Sequence, residues 1–111
     1  MPDCIFCSIA HREKEADIIQ ETDDVMIFRD IRPKAPVHLL IVPKKHIASM
    51  IDLPENEVEL LGKMFMAARD IARDQGLDGY KLLFNVGRKG GQFIDHLHLH
   101  LMGGWVEQQS E

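Results

Sequence analysis

Four short stretches of the chain have the hydrophobic pattern of β-strands. Each either alternates apolar with polar residues or is continuously apolar, and together they cover residues 24–30, 37–42, 80–86 and 96–102. Side chains two apart on a strand point the same way, so Phe28 and Asp30 are expected on one face of the first strand. Pro43 ends the second strand, in which His38 is the one polar side chain.

One long helix is predicted over residues 55–75. Leu60, Met64, Ala67 and Ile71 recur at helical spacing and form a broad apolar stripe. A shorter helix or turn is expected over residues 4–12. Strands joined by short turns, with the long helix between two pairs of them, indicate an α+β fold with an antiparallel sheet.

The last predicted strand contains three histidines in strict alternation with leucines. His96, His98 and His100 would share one face, while the leucines share the other. Three imidazoles in register are unusual for a merely exposed strand face and indicate chemistry. The first and third Cα atoms would lie about 13 Å apart, which is too far for one metal ion to bind all three rings. The histidines are therefore expected to have different roles.

Length and composition are those of an ordinary globular protein. We expect one domain over residues 1–111, with 104–111 as a short tail. A net charge of -5 gives no general electrostatic attraction to nucleic acid. No apolar run is long enough to span a membrane, and no signal-peptide pattern opens the chain, so a cytoplasmic protein without a membrane partner is expected.

Cys4 and Cys7 form a CxxC motif, which by itself has several interpretations. The motif is compatible with a redox pair, with two small buried residues, or with half of a zinc site. Zinc would need two more ligands, and His46 and His96 are available to complete a Cys2His2 set. The spacing alone leaves these alternatives open.

Two further features gain weight from their neighbours. A neutral imidazole is a good nucleophile toward phosphorus, so His98, His100 and His38 are candidates for a two-step displacement, although His38 alone would be read as a core histidine. The segment 85–92, NVGRKGGQ, has glycines and amides suited to phosphate. A glycine-rich hairpin turn is the simpler explanation of that segment.

The motif HLHLHLM resembles the signature of the histidine triad family. The blocks CIFCSI, FRDIRPKAPVHLLIVPKKHI, FNVGRKGGQ and HLHLHLMGG resemble its Hint branch of purine nucleoside phosphoramidases. The resemblance implies a five-stranded antiparallel sheet with one long helix and a short N-terminal helix, and a homodimer. It also implies hydrolysis of nucleoside 5'-phosphoramidates or related mixed nucleotides such as aminoacyl-adenylates, without an organic cofactor.

The resemblance also implies roles for individual residues. His98 would be the nucleophile that carries the nucleotidyl group, His100 would bind the α-phosphate, and His38 would hydrogen-bond into the reacting group. Asp30 would hold the ribose, and Asn85 with Gln92 would lie beside the phosphate. The base pocket would be formed by Ile5, Phe6, Phe28 and Ile31. Cys4, Cys7, His46 and His96 match the zinc set of bacterial members, where we expect a structural ion that the chemistry does not need.

Two positions depart from the family pattern. Phe93 stands where the family commonly has Ser or Thr, whose hydroxyl can reach the leaving group, and Asp95 stands where an aromatic residue is usual. The loss of the hydroxyl makes an alternative function worth testing: a purine nucleotide-binding regulator with little turnover. A metalloenzyme that uses the histidine row for a catalytic metal is disfavoured by the spacing.

Overall fold

The computed structural model describes residues 4–106, in which five strands form one antiparallel sheet. The sheet order is β1-β2-β3-β5-β4. The strands are β1 (Ile18–Glu21), β2 (Val25–Arg29), β3 (Val37–Pro43), β4 (Tyr80–Leu83) and β5 (Leu99–Gly103), and the helices are α1 (Ile5–Ala10) and α2 (Val58–Asp74). The predicted α+β class, antiparallel sheet, long helix and short N-terminal helix are confirmed. The expected tail lies partly outside the described residues.

The apolar run of β3 occupies the middle of the sheet, between β2 and β5. β1 was not found from the hydrophobic pattern, although a fifth strand was implied by the family resemblance. Its four residues, IIQE, do not alternate, and its pairing with β2 shifts register between Ile18 and Gln20. A short strand with a bulge leaves no regular period in the sequence.

The long helix begins three residues later than its pattern predicts. Glu55–Glu57 forms a single 3-10 turn, and the α-helix proper starts at Val58. Pro54 precedes this turn in an extended conformation and offers no side-chain cap, so the first turn tightens rather than starting as α-helix. Gly76, with φ of 72°, follows the C-terminal end. Within residues 4–106 no helix is long and apolar enough to cross a membrane.

The last two strands differ from their predicted bounds. β4 ends at Leu83 rather than at residue 86, and β5 begins at Leu99 rather than at residue 96. Only His100 of the three histidines therefore lies within a strand. The segment 96–98 is held in another way, since the Leu97 N–H donates to the carbonyl of Ile47 at 2.6 Å.

The sheet separates two apolar clusters. One side packs against α2 through Val25, Ile27, Leu39, Leu99 and Leu101. The other side packs against α1 through Met26, Phe28, Leu40 and Val42, which meet Phe6 and Ile9 of the helix. The second face also carries the functional side chains, so α1 and the loops around it form the walls of the site.

Candidate functional site

A cavity of about 300 Å³ lies between α1, the end of β2 and the glycine-containing loop after β4. A volume of this size is at the lower end of the range for small-molecule pockets. Most of the residues predicted for substrate binding line it. These are Ile5, Phe6, Phe28, Asp30, Ile31, Asn85, His98 and His100.

His98 stands at the wall of the cavity and is only 8% exposed. Its Nδ1 lies 2.7 Å from the carbonyl oxygen of His96. A carbonyl can only accept, so Nδ1 carries the proton and Nε2 keeps a free lone pair. Burial lowers the pKa of His98 and outweighs the opposing hydrogen bond to the His96 carbonyl. The ring is thus a neutral base or nucleophile with one available nitrogen.

His38 and His100 are joined in a hydrogen-bonded chain whose direction is fixed. The backbone N–H of Lys34 donates to Nδ1 of His38 at 3.0 Å, so the proton of this neutral ring is on Nε2. Nε2 of His38 lies 2.9 Å from Nδ1 of His100, which must therefore accept. The remaining proton of His100 is on its Nε2, the nitrogen left free to donate to a ligand.

The environment keeps both rings of this chain neutral near pH 7. Burial is the main cause that lowers the pKa of His100 to about 4, and the neighbouring His98 and His38 contribute to the same shift. Burial also lowers the pKa of His38, against the opposing effect of Asp30. We call His38, His98 and His100 the imidazole cluster. The cluster offers one lone pair and one N–H donor close together, with the His98 and His100 ring centroids 5.0 Å apart.

Asp30, His38 and His100 bring potential ligand atoms within 4.8 Å of one another, which raises the question of a metal ion. The hydrogen-bond direction argues against one. Nε2 of His38 carries a proton because Lys34 occupies the other nitrogen, so it has no lone pair to offer. A carboxylate oxygen of Asp30 lies 3.4 Å from the same Nε2, beside its hydrogen bond to His100.

A second cluster gathers the four residues predicted to bind zinc. Ligand atoms of Cys4, Cys7, His46 and His96 all lie within 4.8 Å of one another. Nδ1 of His96 is 3.2 Å from the Cys4 sulfur, and Nδ1 of His46 is 3.3 Å from the Cys7 sulfur. We call these four residues the metal-ligand cluster. The predicted gathering of the set is confirmed, and the cluster could hold a metal ion.

The surroundings of His96 fit ligation through Nδ1. The ring is fully buried, and its Nε2 lies 2.7 Å from the carbonyl oxygen of Pro43. Nε2 therefore carries the proton, and the lone pair on Nδ1 faces the sulfurs, as is usual for metal-bound histidines. Burial is the main cause that raises the pKa of the Cys7 thiol, and the neighbouring Cys4 raises it further. A cation between the sulfurs would oppose this by favouring the thiolate.

The loop after β4 holds the two predicted phosphate-side amides in different situations. Asn85 lines the cavity, and its amide donates to the Gly90 carbonyl at 2.9 Å. Gln92 does not line the cavity and is only 2% exposed. Its Nε2 donates to the carbonyls of Ala48 and Ile94, and its Oε1 accepts from the Gly87 N–H. The phosphate role of Gln92 stays a prediction, while its hydrogen bonds support the loop.

Sequence reasoning missed several contributors to the site. The most informative is Lys34, whose backbone N–H fixes the proton positions of two histidines. No residue-type signal could reveal this, because any residue except proline supplies an N–H there. Ile9, Leu40 and Ile94 also line the cavity. Leu40 could have been found from strand parity, since it lies two residues after His38 on β3.

Comparison with known proteins supports the same family from sequence and from structure. A family model described as "Scavenger mRNA decapping enzyme C-term binding" matches residues 3–110. The purine nucleoside phosphoramidase of Escherichia coli K12 is 43% identical over 102 residues, which cover 90% of this chain and 86% of that protein.

Solved structures agree in fold over nearly the whole chain. A HIT family hydrolase from Legionella pneumophila has a TM-score of 0.91 at 48% identity, covering 93% of this chain and 94% of that one. A Zn-bound histidine triad family protein from Mycobacterium smegmatis has a TM-score of 0.84 at 29% identity, covering 95% of this chain and 77% of that one. The predicted fold is thereby confirmed, and the chain belongs to the histidine triad family.

Proposed function

We propose that this protein hydrolyses nucleoside 5'-phosphoramidates or related mixed nucleotides such as aminoacyl-adenylates, through a nucleotidyl intermediate on His98. The observation that carries the proposal is the free Nε2 lone pair of a buried, neutral imidazole at the wall of a largely apolar cavity. A neutral imidazole attacks phosphorus readily and leaves again as a phosphoramidate, so it suits a two-step displacement.

In the first step Nε2 of His98 forms a bond to phosphorus while the bond from phosphorus to the leaving group breaks. The leaving nitrogen of a phosphoramidate departs with the electron pair and takes a proton from water, whereas the carboxylate that leaves an aminoacyl-adenylate needs no proton. In the second step water attacks the nucleotidyl-histidine, releases the nucleoside monophosphate and restores the neutral ring. The carbonyl of His96, which accepts from Nδ1, stabilises the positive charge that develops on the imidazole during attack.

His100 is proposed to bind the α-phosphate through its Nε2–H. The chain from the Lys34 N–H through His38 supports this role, because it leaves His100 only that nitrogen as a donor. A donor already oriented before the substrate arrives costs no reorganisation when negative charge grows on the phosphate oxygens. Asn85 is proposed to lie beside the phosphate. Gln92 is proposed to support phosphate binding indirectly, because its side-chain hydrogen bonds hold the loop in place.

The nucleoside is proposed to occupy the apolar part of the cavity. Phe6 and Phe28 stack edge to face with centroids 5.4 Å apart and form a rigid wall, and Ile5 and Ile31 complete it. Asp30 accepts the Arg32 N–H on one carboxylate oxygen at 2.8 Å. Its other lone pairs suit the two hydroxyls of a ribose. A purine mononucleotide is the proposed substrate component.

Zinc is the metal proposed for the metal-ligand cluster. Two thiols and two imidazole Nδ1 atoms are a donor set that zinc favours in tetrahedral sites, and a Zn-bound relative shares the fold. When bound, the ion would cross-link α1 to the segments that carry His46 and His96. With four protein ligands the site keeps no open position, so its role is structural.

A homodimer is also proposed, from the family resemblance and from the shape of the sheet. β4 forms one edge of the sheet, and pairing of this edge with that of a second copy would continue the ladder. A cytoplasmic location is proposed as well, and it accords with two free cysteines, Cys4 and Cys7.

The test is release of AMP from adenosine 5'-phosphoramidate. Wild-type protein should turn over, and His98→Ala should lose activity by at least about 10³-fold because no other group replaces the nucleophile. His11→Ala is the matched control, since it removes an exposed imidazole outside the cavity. Turnover by His98→Ala at the wild-type rate would refute the proposal.

The alternative function is nucleotide-binding regulation with little turnover. The side chain of Phe93 lines the cavity without a hydroxyl to assist a leaving group, which favours this alternative. Tight binding of AMP by wild-type protein, without a burst of nucleotidylated protein or steady-state release, would support it over hydrolysis.

A further inference from the structure

Phe93 presents an aromatic ring to the cavity without packing into the protein. The residue is 74% exposed and nevertheless lines the cavity, beside Ile94. Single exposed apolar side chains are common on protein surfaces and need no explanation. This one differs because it borders a cavity and lies on a backbone that is held firmly on both sides.

The backbone around Phe93 is braced by several independent hydrogen bonds. The preceding residue, Gln92, makes three through its buried side-chain amide. The Arg88 guanidinium donates to the Gln92 carbonyl at 2.8 Å, and it forms a two-pronged ion pair with Asp95 at 2.7 and 2.9 Å. Asp95, which replaces the family's usual aromatic residue, thus helps to fix the loop. A backbone held in place before binding loses little entropy when a ligand contacts the side chain that extends from it.

We infer that Phe93 forms a leaving-group subsite for amines that carry an aromatic or bulky apolar group. This inference rests on the proposed function. A phosphoramidate places its nucleoside on one side of phosphorus and its amine on the other, and the nucleoside is assigned to the Phe6 and Phe28 wall. Phe93 lines the same cavity. The resemblance to the family implies that residue 93 lies beside the leaving group, where other members commonly carry a hydroxyl, and a benzene ring there can offer only an apolar contact.

The chemistry of the leaving step is consistent with this assignment. When Nε2 of His98 bonds to phosphorus, the P–N bond breaks and its electron pair stays on the amine nitrogen. Phe93 has no proton to donate, so the nitrogen takes its proton from water at the open side of the cavity. The ring therefore contributes to selectivity by contact with the amine substituent, and an aromatic pair of this kind is worth roughly 2-fold to 10-fold.

The experiment compares two substrates in each of several proteins. The probes are adenosine 5'-phosphoramidates N-substituted with 2-phenylethyl or with methyl, and the readout is the ratio of their kcat/KM values. The intrinsic reactivity of each amine is the same for every protein, so a change in the ratio reports contact with the substituent. Phe93→Ala should lower the ratio about 2-fold to 10-fold, whereas Phe93→Tyr should retain it.

Val58→Ala is the matched control, because it trims an apolar side chain that is 61% exposed on α2, across the sheet from the cavity. It should leave the ratio unchanged. An unchanged ratio in Phe93→Ala would overturn the leaving-group assignment while the proposed hydrolysis stands. An unchanged ratio together with a weakened dimer would assign the ring to a subunit contact instead. If wild-type protein cleaves adenosine 5'-phosphoramidate but neither probe, the subsite is overturned and the proposed function stands. If it cleaves none of the three, the proposed function fails and the subsite with it.

Discussion

The metal-ligand cluster and the imidazole cluster contain histidines two residues apart whose ring protons lie on opposite nitrogens. In His96 a backbone carbonyl accepts from Nε2, so the lone pair on Nδ1 faces two sulfurs. In His98 a backbone carbonyl accepts from Nδ1, so the lone pair on Nε2 faces the cavity. The side chains are chemically identical. Their proposed roles differ because each carbonyl selects a different nitrogen, and the other nitrogen is the one proposed to bind a metal in His96 and to attack phosphorus in His98.

The two clusters also share structural elements. Phe6 lies between the cysteines on α1, and its ring packs edge to face on both His96 and His98, with centroids 5.8 and 5.2 Å away. The carbonyl that orients His98 belongs to His96. The two clusters therefore share one wall residue, Phe6, and one backbone segment, 96–98.

His100→Ala should give the largest effect that distinguishes the two clusters, a loss of activity without a loss of zinc. Loss of the only oriented imidazole N–H toward the phosphate should lower kcat for adenosine 5'-phosphoramidate by about 10²-fold to 10³-fold. The variant should still bind one zinc ion per chain, as measured by a colorimetric zinc assay on denatured protein. Loss of zinc together with activity would show that the clusters are not separate.

Metal removal should have the converse effect. Stripping zinc with a chelator should lower the unfolding temperature by roughly 10 °C or more, because α1 loses its cross-link to the sheet. At a temperature where the protein stays folded, kcat should fall less than tenfold. Cys7→Ser protein should start at the lower unfolding temperature and respond little to the chelator. Equal loss of activity and metal would instead assign the ion to the chemistry.

The smallest expected effect is in the pH dependence. The folded pKa of His100 is about 4, below the usual 6.5. Between these values the unfolded ring binds a proton that the folded ring does not, so folding stability should fall as pH falls through this window. The acid limb of kcat/KM should likewise lie below pH 6.5. His100→Asn should flatten the stability curve, and His11→Ala should not. An acid limb centred at or above 6.5 would contradict neutral, buried imidazoles.

Strand parity and spacing predict much of this arrangement. They place Phe28 and Asp30 on one face, put the leucines of the histidine motif on the face opposite the histidines, and exclude one ion shared by His96, His98 and His100. The family resemblance adds the fifth strand and the residue roles. β1 could not be predicted from the hydrophobic pattern, because its bulge interrupts the alternation of apolar and polar residues.

The proton positions could not be predicted from sequence. They depend on the backbone N–H of Lys34, which every residue type except proline carries, and on the carbonyls of Pro43 and His96, which every residue carries. The hydrogen bonds of Gln92 could not be predicted for the same reason. Two of its three partners are carbonyls. That of Ala48 is distant in the sequence and that of Ile94 is close, and only the folded loop brings both to the Gln92 amide.

The most direct test of the account is to trap the intermediate. Wild-type protein would be mixed with excess adenosine 5'-phosphoramidate, quenched at alkaline pH within the first turnover, digested and examined by mass spectrometry. The account predicts one adenylyl group on His98, none on His96 or His100, and none in His98→Ala protein. Steady release of AMP with no adduct on His98, or with the adduct on another residue, would contradict it.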